Sequence, residues 1–514
     1  MSIGTRKRAD DDSRVTSGPR RSLQVGMLSP EGWLAVCLTA VAGLLRFSTL
    51  NAQSFWLDEA TTVHEVGRSL GQMLHLVSRY ETTPPLYFLV TWVWTRVFGA
   101  GEVGIRSLSA LAGTALILVT YLCGKELVSR RAGLAAAALA TVSPFLIWYS
   151  QEARSYMLFA LLGALSFLFW ARVLRRGTTK DLVGWTVCSS LAVLTHFFAV
   201  FLIAPEALWM LWQFRRRSTV IAVAVVAAVQ LAMLPLVLGD TSGNLLFWLH
   251  QIPLSMRLEQ IPTTLGASQL YLSPAVTWGP LGALILLALV VALLAIGARR
   301  AEWIGAARAG GVAAFVLLVP IALLLIGRDY VFARNFIAAW VPLSVVVGAA
   351  LTARRFRLAG AALFAALIVG FVWVGVKVDG DPAYQRPNWQ AVAAALGPVS
   401  VPRAIVTYGG NSAEQPLSIY LPRSTFSYSG IPTSPAASVS EVDVLADPLD
   451  QLSPAAGRDA RLITTRDVAG VLVTRFRLPS SWRGTPGALA LRAGALLADH
   501  PASRPAVLIQ QPNR

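Results

Sequence analysis

Charge is scarce in this 514-residue chain: only 14% of its residues are Asp, Glu, Lys or Arg. Soluble domains carry about 25%, so composition excludes an ordinary aqueous globular protein. Acidic residues are the scarcer sign, 27 against 44 basic, which leaves a net charge of +17. Cysteine is limited to Cys37, Cys123 and Cys188, all inside apolar segments. That excludes a disulfide or zinc framework outside a membrane. No GxGxxG or P-loop follows a strand-like run, so no cytoplasmic nucleotide site is indicated. Apolar sequence is what the chain has in excess, with 55% hydrophobic residues and a mean hydropathy of +0.58. Apolar blocks of about 17–25 residues recur from 31 to 377, the length a helix needs to cross hydrocarbon.

The basic excess could indicate nucleic acid, but its distribution argues against that partner. Arginines sit in short clusters between apolar blocks, at 130–131, 175–176, 215–217, 299–300 and 354–357. This is the positive-inside pattern of membrane insertion. Placing every cluster on the cytoplasmic side predicts eleven spans, near 33–50, 103–122, 132–149, 153–173, 182–197, 198–214, 220–238, 278–297, 310–327, 336–352 and 359–378. The apolar run PPLYFLVTWVWTRVFG at 84–99 is then interfacial. If it crossed, Lys125, Arg130 and Arg131 would fall outside and every later cluster would invert.

The predicted fold class is an all-α polytopic bundle with a small extracytoplasmic α/β domain at the C-terminus. Residues 1–30 read as a disordered cytoplasmic tail, 31–378 as the membrane domain with an external loop at 51–102, and 379–514 as the external domain. The first apolar block lacks a small-residue cleavage site, so it reads as a retained span rather than a signal peptide. Within the external domain, AIVTYG, EVDVLAD, AGVLVTRF and PAVLIQQ read as strands, WQAVAAAL and GALALRAGALLADH as helices. Arginine preferred over lysine, with much Ala and Val, points to a GC-rich bacterial host and so to a bacterial plasma membrane.

On this topology the conspicuous polar residues gather at the outer face. They are Asp58 and Glu59 in FWLDEATT, Glu152 and Arg154 in WYSQEARSY, His196 in LTHFF, and Arg328, Tyr330 and Arg334 in GRDYVFARNF. Charges at a membrane boundary must pair or face a wet cavity. Taken singly, most read as interfacial charges, and Arg46 and Glu206 read as helix-packing or snorkelling groups. His196 divides evenly between a hydrogen-bonded interfacial residue and a functional one. The Asp58–Glu59 pair after an aromatic-rich helix end has no obvious structural use. Asp58, Glu152 and His196 would make a divalent metal site if they converged; a non-catalytic metal is the weaker reading, and no cofactor is required.

The ordered series of an Asp-Glu pair after the first span, PPLY, RSLSALAG, YLCGKEL, SPFLIWYSQEARSYML and LTHFF resembles the GT-C class of membrane glycosyltransferases. That class includes the protein O-mannosyltransferases, the lipid A aminoarabinose transferases and bacterial relatives. The resemblance covers about 33–210, and the later spans by architecture alone. It implies a polyprenyl-phosphate-linked sugar donor and inverting transfer to an external acceptor, whether glycan, lipid or protein. It implies Asp58 as general base, with Glu59 shaping the site. Glu152 would be a second acidic position, although many relatives carry Asp there in a different local sequence. Arg154, Arg328 and Arg334 would neutralise the departing lipid phosphate, with His196 and Tyr330 in the substrate pocket. A polytopic transporter or lipid flippase is the alternative. Transporters tend to repeat internally and break helices at mid-membrane, whereas here no repeat is evident and the polar residues lie at the boundary. An inactive scaffold that binds through its external domain is a third reading.

Overall fold

A computed structural model of the chain describes residues 29–81, 83–236, 249, 251–266, 279–407, 413–421, 424–427, 436–446, 460–494, 496 and 506–512. Almost all of the expected N-terminal tail lies outside the described residues. The bundle opens with α1 (Pro30–Phe47), started by Ser29, whose hydroxyl accepts from the Gly32 N–H. Its centre is α5 (Glu102–Leu127) and α8 (Tyr156–Arg176), which are buried over most of their length. Four further stretches, Arg217–Leu236, Gly279–Gly297, Arg300–Ile326 and Arg354–Gly380, leave most of their apolar surface uncovered. In lipid that exposure is unpenalised, since acyl chains are as apolar as leucine.

Small residues set the spacing between helices. A Cβ on Gly124 of α5 would lie 2.5 Å from the Gly133 Cα of α6 (Arg130–Val142), so glycine lets the two backbones touch. Between α6 and α7 (Pro144–Ser150) the axis bends by 59°. Pro144 cannot continue the hydrogen-bond ladder, and the Ser143 hydroxyl caps the new helix by accepting from the Leu146 N–H. Arg46 serves this bend. Fully buried, it donates to the Ala140 and Thr141 carbonyls at 2.9 and 3.2 Å and to Ser150 Oγ at 3.1 Å. Glu206 similarly joins three helices, accepting from Ser166 Oγ at 2.6 Å and Trp185 Nε1 at 2.8 Å.

Eight described helical stretches are long and apolar enough to cross a membrane, nine if the bent α6–α7 pair is one span. Eleven were expected. The difference lies in α9 (Thr179–Thr195) and α10 (Ala199–Phe214), of 17 and 16 residues. At 1.5 Å per residue they reach only about 25 Å, short of a hydrocarbon core of about 30 Å. The 84–99 run forms α4 (Leu86–Phe98), 13 residues ended by Gly99 at φ 83°. Its Arg96 donates to the Val66 and Arg68 carbonyls, and its Trp94 to Gly104 at the start of α5. At its other end the Phe88 ring is 5.9 Å from the Arg154 guanidinium, so both ends of α4 stay at the same end of the bundle.

Beyond α16 (Arg357–Gly380) the chain builds a six-stranded sheet in the order β2-β6-β1-β3-β5-β4. The strands are β1 (Arg403–Thr407), β2 (Ser424–Ser427), β3 (Ala437–Ala446), β4 (Arg461–Val468), β5 (Val471–Gly484) and β6 (Ala506–Gln510). Only β1 and β3 pair in parallel. Side chains alternate across the sheet as period two requires. Ala404 and Val406 join one apolar layer with Phe476 and Leu489, while Ile405 joins another with Val392 and Leu417. Helices α17 (Trp389–Leu396) and α18 (Glu414–Tyr420) cover the second face. The β2 and β4 strands and α18 were not anticipated from sequence.

Candidate active site

The segment after α1 folds into α2 (Leu57–Val66) and α3 (Leu70–Tyr80). Trp56 caps α2, so Asp58 and Glu59 occupy its first turn, where the positive end of the helix dipole favours carboxylates. Successive positions on a helix point in different directions, and the two neighbours meet different surroundings. Asp58 keeps 22% side-chain exposure and faces Arg334, whose Nη1 is 3.1 Å from Oδ2. Glu59 is sealed: Arg106 grips both its oxygens at 2.7 and 2.6 Å, the Ala153 N–H donates at 2.9 Å and Arg386 at 3.1 Å. Burial would raise its pKa, but Arg106 and Arg386 outweigh burial and hold it below the ordinary carboxylate value.

Glu152 lies in the short loop between α7 and α8, 1% exposed. Its Oε2 accepts from Arg386 Nη2 at 2.6 Å, and its Oε1 is buried with no hydrogen-bond partner. Burial pushes this carboxyl up to about 7, with Arg386 opposing and Glu59 reinforcing the shift. Arg386 comes from the segment after the last long helix, with its guanidinium 4.5 Å from the Trp148 ring and 5.2 Å from the Trp56 ring. It is thus held between two aromatic faces while bridging Glu59 and Glu152.

Arg154 turns the other way. It makes a two-pronged contact with Glu81 at 3.1 and 2.9 Å and donates to Thr62 Oγ1 at 3.3 Å and the Asp58 carbonyl at 3.4 Å. Nearby, Glu65 is raised to about 9 by burial and then by Glu81, with Arg154 opposing. His196 is buried, its Nδ1 accepting from the Phe198 N–H at 3.2 Å and its ring stacked 4.8 Å from Phe159. That bond leaves the ring proton on Nε2. Tyr156 links it to the cluster, 5.8 Å from His196 and 5.5 Å from Arg334. In the later run, Arg334 is the residue paired with Asp58. Arg328 is exposed, Tyr330 is half-buried against the bundle core, and Asp329 pairs with Arg257 at 2.6 Å.

The structure therefore brings Asp58, Glu59, Glu152, Arg154, His196 and Arg334 to one end of the bundle, and leaves Arg328 at the surface. Among the described residues no three His, Cys, Asp or Glu side chains gather closely enough to hold a metal ion, so Asp58, Glu152 and His196 do not form the divalent site considered above. Sequence reasoning missed Arg106 and Arg386. Their signals were the Arg within RSLSALAG and the aromatic-rich QRPNWQ, each informative only once its distant carboxylate is known. The opposite end of the bundle carries the basic clusters. There Glu126 meets Arg172, Arg175 and Arg176, and Arg130 pairs with Glu31. An apolar groove of about 330 Å³ runs between helices, lined by Pro262, Leu265, Leu286, Leu317, Trp340 and Phe371 among others.

Comparison with known proteins bears on this arrangement. The dolichyl-phosphate-mannose-protein mannosyltransferase family matches residues 82–238. ArnT from Cupriavidus metallidurans in the apo state superposes with a TM-score of 0.54, covering 86% of this chain and 98% of that one at 15% identity. The fold is that of the GT-C class. The same GT-C protein bound to undecaprenyl phosphate gives 0.52, with 16% identity over 87% of this chain and 98% of that one. A curated relative, an uncharacterised protein of Aquifex aeolicus (strain VF5), is 27% identical over 171 residues, 30% of this chain. The match spans about a third of that relative, 34% of its length.

Proposed function

We propose that this GT-C chain transfers a sugar from a polyprenyl-phosphate-linked donor to an acceptor hydroxyl with inversion, and that Asp58 is the general base. The observation that carries this reading is the contrast within one turn of α2: Asp58 is reachable beside Arg334, whereas Glu59 is locked by two arginines. An alcohol is a poor nucleophile until a positioned carboxylate takes its proton. As the acceptor oxygen bonds to the anomeric carbon, its proton passes to Asp58 and the carbon–phosphate oxygen bond breaks. The electron pair leaves with the polyprenyl phosphate. Arg334 is positioned to neutralise that charge, and charge-assisted contacts are strongest where water is excluded.

Glu59 then acts as a positioning residue, holding α2 through Arg106 and Arg386 rather than meeting substrate. Arg154 has the same character, anchoring Glu81 and the Asp58 backbone. The apolar groove beside Trp340 suits the prenyl tail, since Leu265 and Pro262 share their helix, α12 (Leu254–Gly266), with Arg257. On the positive-inside argument the catalytic end faces away from the cytoplasm of a bacterial plasma membrane. The acceptor is then an external glycan, lipid or protein.

The test is complementation of a strain lacking the gene with the wild-type chain or with Asp58→Asn, followed by mass analysis of envelope glycans and lipid-linked sugars. Removing the base slows transfer by about 10²–10⁴-fold, so the product disappears and the lipid-linked donor accumulates. Full product from a well-expressed Asp58→Asn chain overturns the reading.

A further inference from the structure

At the end of the bundle opposite Asp58, a cleft of about 850 Å³ opens between α10 and α14 (Arg300–Ala322). Its walls are aromatic and cationic: Trp209, Trp212, Trp303 and Ile304 beside Arg215 and Arg308. Trp212 and Trp303 are 70% and 52% exposed. Amphipathic rings of this kind belong at headgroup level.

Arg308 is the informative residue. It sits two turns into α14, about 12 Å from Arg300 at 1.5 Å per residue. Gly305, almost one turn before it, abuts the backbone of Leu127 at the end of α5, so Arg308 lies within the bundle rather than on a loop. Its Nε is buried and has no hydrogen-bond partner, and its guanidinium stands 6.0 Å from the Trp209 ring. A cation at a membrane boundary pairs or faces a polar cleft, and among the described residues no carboxylate pairs with Arg308. Glu126, the acidic group at this end, already meets three other arginines.

Two arginines, one with a buried unpartnered Nε, beside exposed tryptophans fit one ligand chemistry. We infer that the cleft binds the phosphate headgroup of an anionic membrane phospholipid, with Arg308 and Arg215 on the phosphate and the tryptophans against the glycerol and upper acyl chains. The basic loops around it favour an anionic leaflet. This site is separate from the Asp58 end, and its occupancy does not depend on the glycosyltransferase reading.

Delipidated full-length protein titrated with phosphatidylglycerol, phosphatidylcholine, undecaprenyl phosphate or inorganic phosphate, read by native mass spectrometry and thermal melts, tests the inference. One phosphatidylglycerol is expected to be retained and to raise Tm more than phosphatidylcholine does. Arg308→Gln is expected to weaken that binding about ten-fold or more, the scale of one lost charge-assisted contact. Arg215→Gln lies at an exposed helix end, leaves the fold intact and should weaken it in the same direction. Equal binding of phosphatidylcholine, or unchanged phosphatidylglycerol binding in both variants, overturns the proposal. Stronger retention of undecaprenyl phosphate would overturn the phospholipid assignment, and saturation by inorganic phosphate would reduce the site to a free-anion site.

Discussion

Arg386 donates to Glu152 Oε2 across 2.6 Å, tying the segment after the last long helix to the loop before α8. The same guanidinium reaches Glu59, so one side chain balances two buried carboxylates. Removing one member of a buried charged cluster costs about 3–5 kcal/mol, because the partners stay desolvated. Arg386→Gln should therefore lower both Tm and transfer. Arg386→Lys should restore only part of either, since a point charge cannot reproduce a fork that spans two acceptors. Full recovery with lysine would mean that net charge alone matters at this position.

Glu59→Gln and Asp58→Asn should separate stability from chemistry. Glu59 is fully buried and accepts from three arginine nitrogens and a backbone N–H, so its neutral amide forfeits the charge that Arg106 and Arg386 require. A loss of about 3 kcal/mol or more is expected in chemical unfolding. Asp58 is partly exposed, and Asp58→Asn should change stability by less than about 1 kcal/mol while abolishing transfer. The reverse ranking of the two melting temperatures would exchange the roles assigned to these neighbours.

Glu152 makes stability depend on pH in a stated direction. Its folded pKa, about 7, lies above the ordinary carboxylate value of 4.5, so the folded state holds a proton that the unfolded chain releases. The associated stabilisation is complete below about pH 4.5 and is lost as pH rises through about 7. Glu65, raised from 4.5 to about 9, adds a loss of the same sign that continues to about pH 9. In Glu152→Gln the amide stays neutral throughout, and its oxygen can still accept from Arg386. Wild-type Tm should fall relative to Glu152→Gln between pH 5 and 8. Parallel curves would show that Glu152 does not change protonation in that window.

The candidate site was legible in sequence where a residue's chemistry was anomalous in place. An acidic pair beside aromatics, a charged run in SQEAR and a late Arg were all conspicuous in an apolar chain, and Asp58, Glu152, Arg154 and Arg334 are found at one end. Arg106 and Arg386 were not legible, because their meaning depends on partners 47 and 327 positions away. The eleven-span count and the length criterion differ at α9 and α10, which nonetheless run from the basic-cluster end of the bundle to His196 and back. Inside the bundle Ser189 bonds Ser166 of α8, and Trp185 donates to Glu206. The β4 strand, an edge with Arg461, Arg466 and Asp467, lacked the apolar alternation that marked its neighbours.

The sheet domain grips the 51–69 loop through α18. The Tyr420 hydroxyl accepts from the Phe55 N–H at 2.8 Å and donates to Glu102 at 2.6 Å, while Thr61 and His64 of α2 meet Gln415 and Ser418. Tyr420→Phe deletes both hydroxyl contacts and leaves a buried N–H and a carboxylate unsatisfied, costing about 1–3 kcal/mol. The 51–69 loop should then become more sensitive to protease than in wild type, with transfer reduced. Unchanged cleavage would mean that the remaining α18 contacts suffice.

Sidedness follows from the separation of charges along the bundle, and surface positions can read it directly. Ser78 lies exposed on α3 at the Asp58 end, and Ser218 lies exposed at the start of α11 (Arg217–Ala232), beside Arg215 and Arg216. Insertion favours retention of Lys- and Arg-rich loops in the cytoplasm, so the proposed orientation puts the 215–217 cluster inside. Because α4 has both ends at the Asp58 end, no additional crossing intervenes between α1 and α5. In intact cells an impermeant maleimide should therefore label Ser78→Cys and spare Ser218→Cys until the membrane is opened. Cys37, exposed on the apolar surface of α1, is replaced by alanine to remove background. The opposite labelling pattern would put Asp58 in the cytoplasm, where an external acceptor could not reach it.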